Sequence, residues 1–311
     1  MKNELKILGV VVIFTAILYW GVEPFAHTQM HKHVDGEHFA YSDLNESTKK
    51  GNVENGKTLV MGAGACTGCH GIQAVAHKAP MDAATAVSAY GVNPPDLSTA
   101  GGLYSEKFLA NLIENPAHAL KVEHKFDAAK GKMHPMPAFY GAGGDKAQEI
   151  ADMVAFLKSI APKEISPKNA YLDACGRCHA NRYGKLDQLG ETPTFKSETD
   201  TLKHKVAVLE YQDKLKAYMG KLPPDLSIII RARSEHFLET FVENPQSQLE
   251  GTSMPRVGLS AEGFEKVKAY LTQTGDPSKT AREAIGPWVL LFTLVFTVLA
   301  YLWKKSMWKD H

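Results

Sequence analysis

Cys66-Thr67-Gly68-Cys69-His70 recurs once in the chain, as Cys175-Gly176-Arg177-Cys178-His179. A C-x-x-C-H pentad is the pattern of covalent haem attachment, in which two thiols bond the porphyrin vinyl groups and the next residue's imidazole binds the iron. The two copies use all 4 cysteines of the 311 residues, which leaves no thiol for a disulfide or a separate metal cage. The competing reading, two reduced C-x-x-C pairs serving zinc or thiol redox, leaves both following histidines unexplained.

Working outward from the pentads, the chain repeats itself, and repeats decide architecture. Pro94-Pro95-Asp96-Leu97-Ser98 returns as Pro223-Pro224-Asp225-Leu226-Ser227, and Glu114-Asn115-Pro116 returns as Glu243-Asn244-Pro245. Both pairs are offset by 129 positions, from Asp96 to Asp225 and from Glu114 to Glu243. Met136-Pro137 matches Met254-Pro255 at an offset of 118, so the first unit carries about 11 extra residues, roughly 121 to 131. The pentads differ by 109, so the second unit carries about 20 extra residues between its histidine and its Pro-Pro-Asp.

Within each unit the apolar spacing predicts helices. Phe108, Leu109, Leu112 and Ile113 share a face, repeated by Phe237, Leu238, Phe241 and Val242, and both runs stop at Asn-Pro. Ile150, Val154 and Leu157 mark a closing helix in the first unit, and Phe264, Val267 and Leu271 mark one in the second. The extra segment of the second unit predicts an amphipathic helix with Val208, Tyr211, Leu215 and Tyr218 on one stripe, either a partner surface or a cover over the haem edge.

The chemistry of each unit follows. A haem iron held by His70 or His179 takes a sixth ligand or leaves that position open, and Met136 and Met254 are the candidates, each in a Met-Pro some 60 to 75 residues downstream. Met133 and His134 compete with Met136 within one turn, whereas Met254 has no such neighbour. Histidine with methionine raises the potential and closes the iron to small ligands, which suits electron transfer. An axial histidine generally donates its other N–H to a carbonyl, and a proline carbonyl on a rigid backbone is a suitable acceptor. Pro94 or Pro95, and Pro223 or Pro224, are assigned that role. A plain turn before a helix, capped by Asp96 and Asp225 or by Ser98 and Ser227, is compatible with it.

Both ends of the chain are apolar. Leu5 to Val22 carries no charge beyond Lys6, with Trp20 at its edge, and is just long enough to span a membrane. A cleaved signal peptide is the competitor, but Pro24 stands where a small residue before a cleavage site is wanted, so a retained anchor is expected. Ile285 to Trp303 is an uncharged run of 19 residues followed by Lys304, Lys305 and Lys309. Basic residues outside both spans place both termini in the cytoplasm and the units in the periplasm. All 4 tryptophans, Trp20, Trp288, Trp303 and Trp308, fall in or beside the spans.

The expected organisation is therefore mainly α: an anchor at 1–22, a polar linker at 23–53, a first cytochrome c domain at 54–160 and a second at 161–275. A linker at 276–284, an anchor at 285–303 and a cytoplasmic tail at 304–311 complete it. The polar lead holds His27, His31, His33 and His38 at spacings that fit no fixed metal site, and is read as a linker lying on the domain surface. Lys121, Lys125, Lys130 and Lys132 could steer an acidic carrier, though Glu123 and Asp127 dilute the field. Lys and Arg total 35 against 34 Asp and Glu, a net charge of +1 that suggests no nucleic-acid partner.

The run Lys221-Leu-Pro-Pro-Asp-Leu-Ser-Ile-Ile-Ile-Arg231-Ala-Arg233, followed by a Met-Pro, a short linker and one C-terminal anchor ending Lys-Lys-Ser-Met-Trp-Lys, resembles cytochrome c1 of the quinol:cytochrome c reductase (cytochrome bc1) complex. The likeness covers roughly residues 170 to 311, and the first half shares it only through the repeat. Two pentads and a second anchor make it similar to a di-haem variant of that family. The resemblance implies two covalently bound haem c groups, one taking an electron from a Rieske iron-sulfur protein and one passing it to a soluble periplasmic cytochrome c. It further implies a b-type cytochrome subunit, a dimeric complex and a place in the bacterial inner membrane. The enzyme would be the complex, since no independent catalytic site and nothing like a quinol site is visible in this chain. A membrane-held di-haem shuttle or a cbb3-type oxidase subunit is the nearer alternative, and a di-haem peroxidase the more distant one.

Overall fold

The structure is a computed structural model and describes residues 2–30, 39–126 and 131–309. His31, His33, His38, Asp127 and Lys130 lie outside the described residues.

The chain is mainly α. The N-terminal helix α1 (Lys2–Ile17) passes through a π turn (Leu18–Val22) into α2 (Glu23–Met30). Pro24 has no N–H to offer the carbonyl four residues back, and the ladder widens just before it, where Glu23 N–H bonds Leu18 O. The segment expected to begin a polar linker at residue 23 therefore continues the first helix. Residues Asn3–Gln29 and Lys279–Met307 are long and apolar enough to cross a membrane.

The first unit holds α3 (Val53–Thr58), α4 (Ala83–Tyr90), α5 (Ala100–Leu103), α6 (Glu106–Glu114) and α7 (Lys146–Ile160). The second holds α8 (Pro167–Tyr171), a two-residue hairpin of β1 (Leu186–Asp187) and β2 (Gly190–Glu191), then α9 (Glu198–Met219), α10 (Ile229–Ala232), α11 (Glu235–Glu243) and α12 (Ala261–Gly275). A long helix, α13 (Lys279–Met307), ends the chain. Matching helices start and stop by the same devices. Ser105 Oγ accepts from Phe108 N–H at 3.1 Å and Ser234 Oγ from Phe237 N–H at 3.3 Å, so α6 and α11 begin on equivalent caps. Both end at the asparagine before a proline.

Each unit has its own core. Ile150, Val154 and Leu157 of α7 close the first over Leu59, Val60 and Leu109, and Phe264, Val267 and Leu271 of α12 close the second over Tyr171 and Leu238. The units also interpenetrate. Leu103 of the first is fully buried in the core of the second, and Tyr104 pairs with Leu259 in an isolated antiparallel bridge flanked by Ser105 N–H to Gly258 O and Ser260 N–H to Leu103 O.

The inserted helix α9 lays the expected stripe inward. Tyr211 and Leu215 are buried, with Val87 of α4 among their neighbours. Helix α4 and the last turns of α9 are repeat equivalents that end on Gly91 (φ 82°) and Gly220 (φ 85°), each three residues before its Pro-Pro pair. A Cβ on Gly91 would sit 2.5 Å from the Tyr218 ring, so the joint requires glycine both for its left-handed backbone and for space.

The end of the lead before the first unit packs into the domain rather than only over its surface. Ala40, Tyr41 and Leu44 are buried against Phe108 and Ala119. Burying a leucine stabilises by about 1.5–3 kcal/mol relative to exposure, enough to hold a short strap in place of a loose connection. The expected linker at 276–284 likewise turns helical at Lys279. Both carboxylate oxygens of Asp276 accept from Arg282 at 2.7 Å, and Lys279 pairs with Glu235 of α11, so the first turns of α13 are fixed to the second unit.

Candidate functional site

The two pentads are built alike from the backbone upward. A π turn, Leu59–Ala63, ends shortly before the first pentad, and another, Leu172–Gly176, runs into the second through Cys175. Cys69 N–H reaches Cys66 O at 3.2 Å and His70 N–H the same carbonyl at 3.0 Å; Cys178 N–H and His179 N–H reach Cys175 O at 3.1 and 2.9 Å. One tight turn thus gathers two sulfurs and an imidazole.

The histidines are oriented in the same way. His70 Nδ1 lies 2.8 Å from Pro95 O, and His179 Nδ1 lies 2.8 Å from Pro224 O. A carbonyl only accepts, so Nδ1 carries the proton in both rings and Nε2 keeps its lone pair. Burial holds both imidazoles below their ordinary pKa, with the proline carbonyls opposing, which keeps them neutral and able to bind a metal. Of the paired prolines, Pro95 and Pro224 carry these contacts; Pro94 lines the cavity, and Pro223 precedes the contacting residue.

The Asp-Leu-Ser that follows does not supply the expected helix caps, since α5 and α10 start from Thr99 and Ile228 with no side-chain cap bond; it has another role. Asp96 Oδ2 accepts from Gln73 N–H (3.1 Å), Ser98 Oγ from Ala74 N–H (2.9 Å), and Leu97 N–H bonds Gly71 O (2.9 Å). Asp225, Ser227 and Leu226 repeat these bonds on Arg182 N–H (3.1 Å), Tyr183 N–H (3.1 Å) and Ala180 O (2.9 Å). The loop leaving each histidine is stapled to the motif that supplies its carbonyl. Sequence reasoning missed this role, although recurrence of the whole five-residue motif was its signal.

Phe139 N–H bonds Ile113 O at 3.0 Å and Val257 N–H bonds Val242 O at 3.3 Å, so the segments carrying Met136 and Met254 hang from equivalent helix ends. Met136 and Met254 both line a cavity of about 530 Å³, together with all four cysteines, His70 and His179. His134 lines it too, its Nδ1 accepting from Met136 N–H at 3.2 Å, whereas Met133 is 66% exposed and lies outside the lining. The cavity is continuous between the units.

Burial keeps three of the four thiols protonated. Burial raises the Cys175 thiol to about 12 and pushes Cys66 and Cys178 upward. Among the described residues no three His, Cys, Asp or Glu side chains come together as a metal cage. Two cysteines, one neutral histidine and one methionine per unit around apolar walls form a donor set that fits a covalently attached haem.

Of the lysines expected to steer a carrier, the three described ones are engaged elsewhere. Lys125 Nζ donates to Met219 O and Ser253 Oγ, Lys121 Nζ reaches Asn244 Oδ1 at 3.4 Å, and Lys132 lies over the Phe126 ring.

This fold and donor set are like those of a c-type cytochrome domain. The cytochrome c family model matches residues 53–161, the first unit. The chain is also similar to cytochrome c1 of Allochromatium vinosum, 42% identical over 57 residues, which is 17% of this chain and 23% of that protein. It thus spans about a quarter of the length of the curated relative it matches. No solved structure matches significantly.

Proposed function

We propose that this chain is the di-haem c-type cytochrome subunit of a respiratory quinol:cytochrome c reductase, passing electrons from a Rieske iron-sulfur protein to a soluble periplasmic cytochrome c. The observation that carries the reading is the doubled site, in which each pentad has a proline carbonyl behind its histidine and a methionine lining the same common cavity. Covalent haem supplies one-electron redox chemistry when bound. Cys66, Cys69, Cys175 and Cys178 would attach it, His70 and His179 would ligate one face, and Met136 and Met254 the other. Pro95 and Pro224 fix the histidine tautomer, and the apolar walls keep water from the iron ligands.

The likeness to a cytochrome c1 and the two apolar helices support a membrane-held reductase subunit, with both termini cytoplasmic and the haem units in the bacterial periplasm. A b-type cytochrome and the Rieske protein are the expected partners, in a dimeric complex. Affinity purification of the tagged chain from detergent-solubilised membranes tests this. Recovery with a b-type cytochrome and a Rieske protein is the expected result; recovery with a haem–copper oxidase, or alone, overturns it.

A further inference from the structure

Arg177 occupies the second pentad, between Cys175 and Cys178, where the first pentad has Gly68. Its side chain leaves its own unit. Nη1 donates to Asn93 O at 3.3 Å, immediately ahead of the Pro94-Pro95 pair whose second carbonyl holds His70. Its backbone carbonyl accepts from Tyr211 Oη at 3.0 Å, and Asn93 N–H donates to that same hydroxyl at 3.4 Å, so the residue is held at the seam between the units.

Two features of this placement call for an anion. Arg177 Nε is buried and has no hydrogen-bond partner. Among the described residues no carboxylate lies within ion-pair distance of the guanidinium: the Tyr104 hydroxyl bonds it, and the charge of Asp173 acts on it only from further off. An orphaned buried donor on a part-buried cation is costly, and such groups are normally met by an opposite charge. Arg177 lines the common cavity, and haem brings two propionate carboxylates into such a cavity.

We propose that Arg177 is a positioning residue shared by the two haem sites: its Nε–H donates to a haem propionate in the common cavity, and its fixed charge favours the reduced state of the haem attached at Cys66 and Cys69. This rests on the di-haem reading above. Ferric iron carries one more positive charge than ferrous iron, so a nearby cation stabilises the reduced form and raises the potential. A residue belonging to the second site by sequence would thus set the first site's driving force.

The test is a spectroelectrochemical titration of the full chain in detergent, with R177Q and R177K beside the parent. The Met254 variant described below identifies the second haem by moving its potential alone. The expected result is that R177Q shifts the first haem's reduction equilibrium about tenfold toward oxidised, about 59 mV for one electron, while R177K, which keeps the charge, restores most of it. Should R177Q fail to mature, resonance Raman of the parent and R177K decides. The propionate-bending band should move when Nε–H is lost, and an unmoved band overturns the assignment. Unchanged potentials in R177Q, or a shift confined to the second haem, also overturn it. One haem per chain in the parent would defeat the di-haem reading itself, a failure visible in haem content before any variant is made.

Discussion

The guanidinium of Arg256, wholly buried two residues after Met254, holds both carboxylate oxygens of Asp43, Nη1 to Oδ1 at 2.7 Å and Nη2 to Oδ2 at 3.1 Å. The same side chain donates to Ala40 O, Ala119 O and His118 O and lies over the Tyr41 ring, while its backbone N–H bonds Leu120 O at 3.0 Å. One residue of the second unit therefore ties the lead strap to the first unit and fixes the loop that presents Met254.

Arg256→Met should destabilise the protein by about 3 kcal/mol, because it strands Asp43 and several carbonyls around an apolar side chain. Denaturant unfolding followed by circular dichroism measures the loss. A change below about 1 kcal/mol would show that the strap is held by Tyr41 and Leu44 alone.

The same pair gives a pH dependence. Burial raises the Asp43 carboxyl, but the Arg256 hydrogen bonds and charge outweigh it and hold the group below its ordinary value. A depressed carboxylate contributes stability that is complete above its unfolded value, about 3.9, and lost as pH falls through the folded value. Thermal unfolding of the parent should therefore fall more steeply below about pH 4 than that of Asp43→Asn, and parallel curves would contradict it.

Replacing Met254 by a non-ligating residue should lower the potential of one haem and leave the other, with loss of the methionine-to-iron charge-transfer band for that haem at the red edge of the visible. Redox titration reads both, and no change in either potential would refute ligation by Met254.

Tyr211→Phe removes the hydroxyl that donates to Arg177 O and accepts from Asn93 N–H. Both partners are left at a part-buried seam, so the expected cost is about 1–3 kcal/mol. Unfolding of this variant should lose more than that of Tyr183→Phe, whose exposed ring makes a control.

Gly91→Ala should be more damaging than an alanine at a solvent helix end. It adds about 1–2 kcal/mol for the left-handed backbone and a further 1–3 for overpacking on Tyr218. A variant that unfolds like the parent would show that α9 shifts freely on α4.

The pentads, the two units and the faces of their helices were legible because each is a local pattern of spacing. Recurrence of Pro-Pro-Asp-Leu-Ser pointed to a carbonyl behind each histidine, though not to which proline, since the choice depends on how the loop at Asp96 and Ser98 folds back. The links between units were not legible. Arg256 to Asp43, Tyr104 to Leu259 and Lys125 to Ser253 join residues more than 100 positions apart and follow no period. Ala40, Tyr41 and Leu44 are three apolar residues in a polar lead, too few to announce a core. Arg177 was visible only as a charge between two cysteines; its destination is a property of the seam.

The clamp at the start of α13 bears on how far the protein can reach. A cytochrome on a slack tether can swing between donor and acceptor, its range set by tether length. Here Asp276–Arg282 and Glu235–Lys279 leave no slack between the second unit and its long apolar helix. That unit stands on a mast, at a fixed height and heading above the helix that carries it. Under the proposed function, the travelling would fall to a partner, its approach aimed by the first two turns of a helix rather than by a flexible joint.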